Sequence, residues 1–261
     1  MNLLLKNKLF ISTRPQGQSD ELGRHFEAAG AKMVEWPLIK IQPSHLNSKE
    51  KELFNQLENI QWLIFTSPNG VVYFFKNLHT VTGSKHLPDS LQIAVIGEKT
   101  EKTLKKLGHS ASFVNPGITG KDFTTAFIQK NASDKFKPNI LLALGNLAGT
   151  GTNDRLSGHA RCYRINVYET VAPASIDESV LQMIISNQYD MLIITSPSGI
   201  QNFLEHMNNI PREHIRIACI GESTSRAVGE AGIIPLVYAR EASSKGIVDS
   251  IIRFYSKKEH D

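Results

Sequence analysis

Two tetrapeptides in this 261-residue chain combine hydroxyl, proline and glycine in a way that suits an anion: Ser67-Pro68-Asn69-Gly70 and Ser196-Pro197-Ser198-Gly199. Each follows a short apolar run, Trp62-Leu63-Ile64-Phe65 in one case and Met191-Leu192-Ile193-Ile194 in the other. Such a run reads as a buried strand, and Ser-Pro after it reads as the first turn of a helix. At that handover the first helical N–H groups have no partner inside the helix and carry partial positive charge. Carboxylates and phosphates collect at such places. Ser67, Asn69, Ser196 and Ser198 supply polar side chains there, and Gly70 and Gly199 permit close approach. Each serine has two possible roles, ligand contact or capping of its own helix. One copy alone favours capping, and the recurrence brings the two roles level.

A second pair repeats the logic. Gly97-Glu98-Lys99-Thr100 and Gly221-Glu222-Ser223-Thr224 each follow an apolar run and place a threonine in a first helical turn. Thr100 and Thr224 are thus further candidates for ligand contact, with helix capping as the commoner use of such residues. Thr13-Arg14-Pro15 closes another apolar run. Arg14 is the one guanidinium at a predicted strand end, and its fork suits a carboxylate.

Other chemistries are poorly provided for. The nine histidines form no HExxH or comparable metal spacing, and Cys162 and Cys219 form no CxxC pair. There is no Walker loop and no G-x-S-x-G elbow. Gly145, Gly149 and Gly151 follow a predicted strand, but not in dinucleotide-binding spacing. Lys102, Lys105, Lys106, Lys257 and Lys258 read as solvated charge, since no basic patch interleaves with aromatics, so no nucleic-acid partner is expected. The formal net charge of +4 is mild and suits an anionic small molecule. No apolar run approaches the ~20 residues of a membrane helix. Leu3-Leu4-Leu5 is interrupted by Lys6 and Lys8, unlike a signal peptide, so a cytoplasmic protein is expected.

The elements that must position these groups alternate. Residues 9–13, 32–36, 62–66, 93–96, 111–114 and 140–144 read as strands. Residues 19–29, 68–75, 99–107 and 121–130 read as helices. Short apolar strands between helices imply parallel sheets covered on both faces. The chain also repeats itself at a separation of about 130 residues. Leu9-Phe10-Ile11-Ser12-Thr13 matches Ile140-Leu141-Leu142-Ala143-Leu144. Phe65-Thr66-Ser67-Pro68-Asn69-Gly70 matches Ile194-Thr195-Ser196-Pro197-Ser198-Gly199. Ile96-Gly97-Glu98 matches Ile220-Gly221-Glu222. Two copies of one α/β unit predict two similar lobes, with a ligand cleft between them. Residues 37–43 and 165–173 are β-rich and each ends at or near a proline, Pro43 and Pro173. They are expected to pair as a ribbon crossing between lobes.

In order and spacing these motifs resemble the uroporphyrinogen-III synthase family over residues 8–255. The matching elements are Thr13-Arg14-Pro15, Gly30-Ala31 with Pro37-Leu38-Ile39, the two Ser-Pro turns, Gly97 with Thr100, Gly145-Asn146, Val167-Tyr168-Glu169-Thr170, and Gly221 with Thr224. The resemblance implies an α/β protein of two similar lobes, each a parallel sheet flanked by helices, joined by a two-stranded β-ladder, with the active site in the inter-lobe cleft. The lobes would be residues 1–36 with 174–261, and 44–164, with 37–43 and 165–173 as the ladder. It also implies a monomer without metal or other cofactor. Its substrate would be the polyanionic linear tetrapyrrole hydroxymethylbilane, closed to uroporphyrinogen III with inversion of ring D and loss of water. Tyr168 would assist departure of the hydroxyl, or else only brace the ladder. Leu144 stands where many relatives carry arginine, and Arg155 or Arg161 are the candidates to replace that charge. The alternative is a non-enzymatic bilobal module that binds tetrapyrroles; no DNA-binding or membrane segment is recognised in the chain, which favours the enzyme.

Overall fold

A computed structural model describes residues 4–115, 119–131, 137–207 and 212–258. Numbered along the chain, the strands are β1 (Leu9–Ser12), β2 (Lys32–Glu35), β3 (Lys40–Pro43), β4 (Trp62–Phe65), β5 (Gln92–Val95), β6 (Phe113–Val114), β7 (Asn139–Gly145), β8 (Arg161–Val171), β9 (Met191–Ile194), β10 (Ile217–Ile220) and β11 (Val237–Ala239). The helices are α1 (Asp20–Ala28), α2 (Ser48–Asn55), α3 (Pro68–Thr82), α4 (Glu98–Lys106), α5 (Gly120–Asn131), α6 (Gly151–Leu156), α7 (Glu178–Ile185), α8 (Pro197–His206), α9 (Glu222–Glu230) and α10 (Ser244–Lys258). The chain divides into two compact units, Met1–Lys40 with Val171–Asp261, and Ile41–Thr170. Among the described residues no helix is long and apolar enough to cross a membrane.

The first unit holds a five-stranded sheet in the order β11-β10-β9-β1-β2, and all four pairings are parallel. Its central strands β1, β9 and β10 are buried on both faces, as their nearly unbroken apolar character requires, while β2 and β11 form the edges. Ile11, Leu192, Ile194, Ile217 and Cys219 point to one core. Phe10, Met191, Ile193 and Ala218 point to the other, where α1 and α10 cover them. The second unit holds a six-stranded sheet in the order β3-β8-β7-β4-β5-β6, with β8-β7, β7-β4, β4-β5 and β5-β6 parallel. Leu63, Phe65, Val95, Leu141 and Ala143 face one core. Trp62, Ile64, Ala94, Ile140 and Leu142 face the other.

The two sheets match strand for strand, β11-β10-β9-β1-β2 against β6-β5-β4-β7-β8. The sequence repeat pairs β1 with β7, β4 with β9 and β5 with β10, which is the same correspondence. Each unit therefore takes the opening strands of one copy and the closing strands of the other.

Two boundaries differ from the sequence reading for physical reasons. Residues 37–39 are irregular rather than extended. Pro37 has no N–H to donate and restrains Trp36 before it. Trp36 is fully buried instead, and its indole N–H donates to Asp177 O at 3.1 Å. The Asn202 amide donates to Leu38 O at 2.7 Å, so this irregular backbone is satisfied from the side. β3, which does pair with β8, accordingly begins only at Lys40. Helix α3 runs seven residues beyond Phe75 and stops at Gly83, whose φ of 72° suits glycine.

At the opposite edge of the first sheet, Asp190 ties three elements together. Its carboxylate accepts from Lys8 Nζ (3.1 Å), Leu9 N–H (2.8 Å) and the Tyr255 hydroxyl (3.2 Å). Burial first, and the Asp190 charge second, push the Tyr255 phenol well above its ordinary value. The neutral phenol is thus favoured by folding, and this stabilisation is intact below the unfolded value of ~10 and lost as pH rises above it. Thermal melts from pH 9 to 11.5 are expected to show a shallower decline in Tm for Tyr255→Phe than for the parent chain; equal slopes contradict the assignment.

Candidate active site

In a parallel sheet all carboxyl ends lie on one edge, so the chain's repeated polar motifs gather on one edge of each unit. In the second unit, β4 hands over to α3 at Ser67, which is extended (φ −154°, ψ 154°) and accepts the Gly70 N–H at 3.0 Å. Gly70 is buried, and a Cβ there would come within 3.0 Å of Ala143 O on β7. That close approach is the reason for glycine at this position. Asn69, in the first turn of α3, is half-buried. On the adjacent strand β5, Gly97 turns the chain with φ 83° into α4, where Thr100 is almost fully buried.

In the first unit the handover from β9 to α8 is built in the same way. Ser196 has φ −151° and ψ 154° and accepts the Gly199 N–H at 3.2 Å. Its hydroxyl also lies 3.1 Å from that of Ser198. Gly221 turns β10 into α9 with φ 81°, and Thr224 is buried there as Thr100 is in its unit. A Cβ on Gly199 would sit 3.7 Å from Thr13 Oγ1, so Thr13 adjoins this turn. The Thr13 hydroxyl donates to Ile193 O at 2.9 Å and so braces β1 against β9.

Arg14 is held within its own unit. Its Nη1 donates to Gln18 O (3.3 Å) and to Ser244 Oγ (3.1 Å), and Ser244 in turn donates to Glu21 (2.9 Å). Burial lowers the guanidinium's pKa, and Glu21 pulls it back up. The group is poised at the strand end, with its geometry set by Ser244.

Tyr168 joins Ser67 in the second unit. The two hydroxyl oxygens lie 3.3 Å apart and share a hydrogen bond. Strand alternation alone would put Tyr168 on the face opposite Val167. Instead both pack on one core, because the β7–β8 register slips by one residue there. Leu144 pairs with Asn166 and Gly145 with Tyr168, leaving Val167 as the extra residue of a β-bulge. The Tyr168 ring then lies over Gly145, where a Cβ would come within 2.4 Å of Cζ. It also lies 5.9 Å from the Tyr73 ring, whose hydroxyl donates to Ile41 O.

Several residues outside the sequence-derived set hold this arrangement. Asn77 Nδ2 donates to the bulged Val167 O at 2.9 Å. The Asn146 backbone N–H donates to Tyr168 O, and its side chain both accepts from Thr170 N–H and donates to Thr170 O. Asn146 thus substitutes for a strand neighbour where β7 has ended. Leu144 is buried in apolar surroundings, and Arg155 and Arg161 are exposed. The guanidinium that closes on the loop after β7 is Arg164, which donates to Gly145 O, Ala148 O and Gly149 O. Of these, only Gly145-Asn146 carried a visible signal, as part of the family pattern. Among the described residues no group of three or more His, Cys, Asp or Glu side chains is placed to hold a metal.

Comparison with known proteins agrees with this architecture. The chain is 25% identical over 256 residues to the porphyrin biosynthesis protein HemD of Ruminiclostridium josui, covering 95% of this chain and 49% of that protein. It thus spans about half the length of that relative. It is 28% identical over 255 residues to the uroporphyrinogen-III synthase of Chlorobaculum parvum, covering 94% of this chain and 99% of that one. Its fold is similar to crystal structures of a mutant uroporphyrinogen III synthase from Thermus thermophilus (TM-score 0.64, 14% identity, 96% and 99% covered) and of the enzyme from Helicobacter pylori (TM-score 0.61, 17% identity, 94% and 99% covered). The family model described as uroporphyrinogen-III synthase HemD matches residues 20–249, and with the paired sheets and their repeated hydroxyl turns this shows that the chain belongs to the uroporphyrinogen-III synthase family.

Proposed function

We propose that this chain closes hydroxymethylbilane to uroporphyrinogen III, inverting ring D and releasing water, as a cyclising and dehydrating lyase. The observation that carries this reading is the Tyr168 hydroxyl, 3.3 Å from Ser67 Oγ at the N-terminus of α3. The substrate is a polycarboxylate, and this chain offers unpaired amides at the starts of α3, α4, α8 and α9, each on a carboxyl edge. Ser67, Asn69, Ser196, Ser198, Thr100 and Thr224 add side-chain donors at the same turns, and Arg14 adds a charge. Gly70 and Gly199 let those turns close tightly.

Loss of the substrate's hydroxyl leaves an azafulvene cation that cyclises readily by itself, giving the wrong isomer. The protein's larger task is to hold the chain so that the substituted carbon of the last ring attacks, through a spiro intermediate. Positioning of that kind is worth several kcal/mol. Tyr168 is assigned the remaining step, donating a hydrogen bond to the hydroxyl as it leaves as water. Ser67, sharing a hydrogen bond with the phenol, orients it.

Purified protein supplied with fresh hydroxymethylbilane is expected to give mainly the type III isomer, with or without a chelator. Type I product under every condition would refute the reading and leave a tetrapyrrole-binding module. Tyr168→Phe removes the donor and keeps the ring, so turnover is expected to fall about 10²-fold at near-parental Tm. Thr100→Ala and Thr224→Ala each remove one contact among many and are expected to cost less. Full turnover in Tyr168→Phe takes the phenol out of the mechanism, and activity that merely tracks lost stability makes it a brace.

A further inference from the structure

A concavity in the Ile41–Thr170 unit, apolar over much of its lining but rimmed by basic side chains, has no part in the chemistry above. It is a pocket of about 580 Å³ whose wall includes Ser44, His45, Lys51, Lys76, His79 and Lys85. These come from three segments, the stretch after β3, helix α2, and the C-terminal half of α3 with the loop beyond it. Lys76 lies eight residues into α3 beyond Pro68, about 12 Å along the axis from the helix start beside Ser67.

The charge of this wall is one-sided. No aspartate or glutamate lines it, and none of the three lysines is in an ion pair among the described residues. The acids of α2 are committed elsewhere, Glu50 to the capping box with Asn47 and Glu52 to the Gln56 amide. Cations near the end of α3 gain from the helix dipole. That does not account for Lys51 or Lys85, which converge from other segments.

Beside this wall lies a buried hydroxyl. The Ser44 hydroxyl oxygen is closed off from solvent and has no hydrogen-bond partner among the described residues. Leaving such a group unpaired costs stability. One side of the pocket is already fixed, since Asn77 in its wall is bonded to Val167 O.

We propose that this pocket binds a small phosphoryl-bearing anion, an organic phosphate or diphosphate. Lysines act as point charges that suit phosphate, whereas a carboxylate site would favour the bidentate fork of arginine, and no arginine lines this wall. The volume falls within the range of small-molecule sites and exceeds what inorganic phosphate needs. Leu46 and Val81 supply an apolar flank for the organic part.

The test is calorimetric titration of the full chain with pyrophosphate, with citrate as the carboxylate counterpart and sodium chloride at matched ionic strength. Saturable pyrophosphate binding, at least tenfold tighter than citrate, is expected. The triple variant Lys51→Gln, Lys76→Gln, Lys85→Gln is expected to weaken it at least tenfold with an unchanged circular dichroism spectrum. Thr100→Ala is expected to leave it unchanged. Heat no greater than that of matched salt, citrate binding as tightly as pyrophosphate, or a triple variant that binds like the parent each overturns the proposal.

Discussion

A strand buried on both faces can carry polar chemistry only at its ends. In both units the central strands are closed in on each side by apolar side chains, from Phe10 and Ile11 in one to Leu63 and Ile64 in the other. The candidate residues are accordingly found where strands end and helices begin. Parallel pairing then aligns those ends on one edge, so that Ser67, Thr100 and Tyr168 share an edge in one unit and Thr13, Ser196 and Thr224 share an edge in the other. The unpaired amides of the helix starts are a consequence of the same geometry.

The repeat gives both edges the same backbone and leaves the side chains free to differ. Ser67 and Ser196 have the same dihedrals within a few degrees and cap in the same way. What each hydroxyl meets next is different, the Tyr168 phenol in one case and the Ser198 hydroxyl in the other. The asymmetry arises on β8, the longest strand, where one extra residue turns a tyrosine onto its partner's glycine. The proposed anion contacts therefore fall on both units, and the proposed chemical step on one.

Much of this was legible from the residues because burial and turn chemistry leave local marks. Apolar runs marked the strands, Ser-Pro the helix starts, and matched motifs the duplication. What escaped depended on contacts distant in sequence. Helix α3 looked finished at Phe75 because Lys76, Asn77, His79 and Thr80 are polar, yet Asn77 is buried through its bond to Val167 O. The bulge at Val167 has no local signature, since it reflects where β7 ends, and it inverted the expected side of Tyr168. Arg164 resembled any strand arginine until the carbonyls of Gly145, Ala148 and Gly149 were brought to it.

Tyr168 is proposed to act from the position the bulge and Gly145 give it. The most direct test is the rate and isomer composition of the product from Gly145→Ala, with circular dichroism to verify the fold. The added methyl would meet the far end of the tyrosine ring, which can swing away without unfolding the strand. A native spectrum is expected, with turnover down about 10²-fold and a shift toward the type I isomer. Parental turnover and parental type III product from Gly145→Ala would contradict this role for Tyr168.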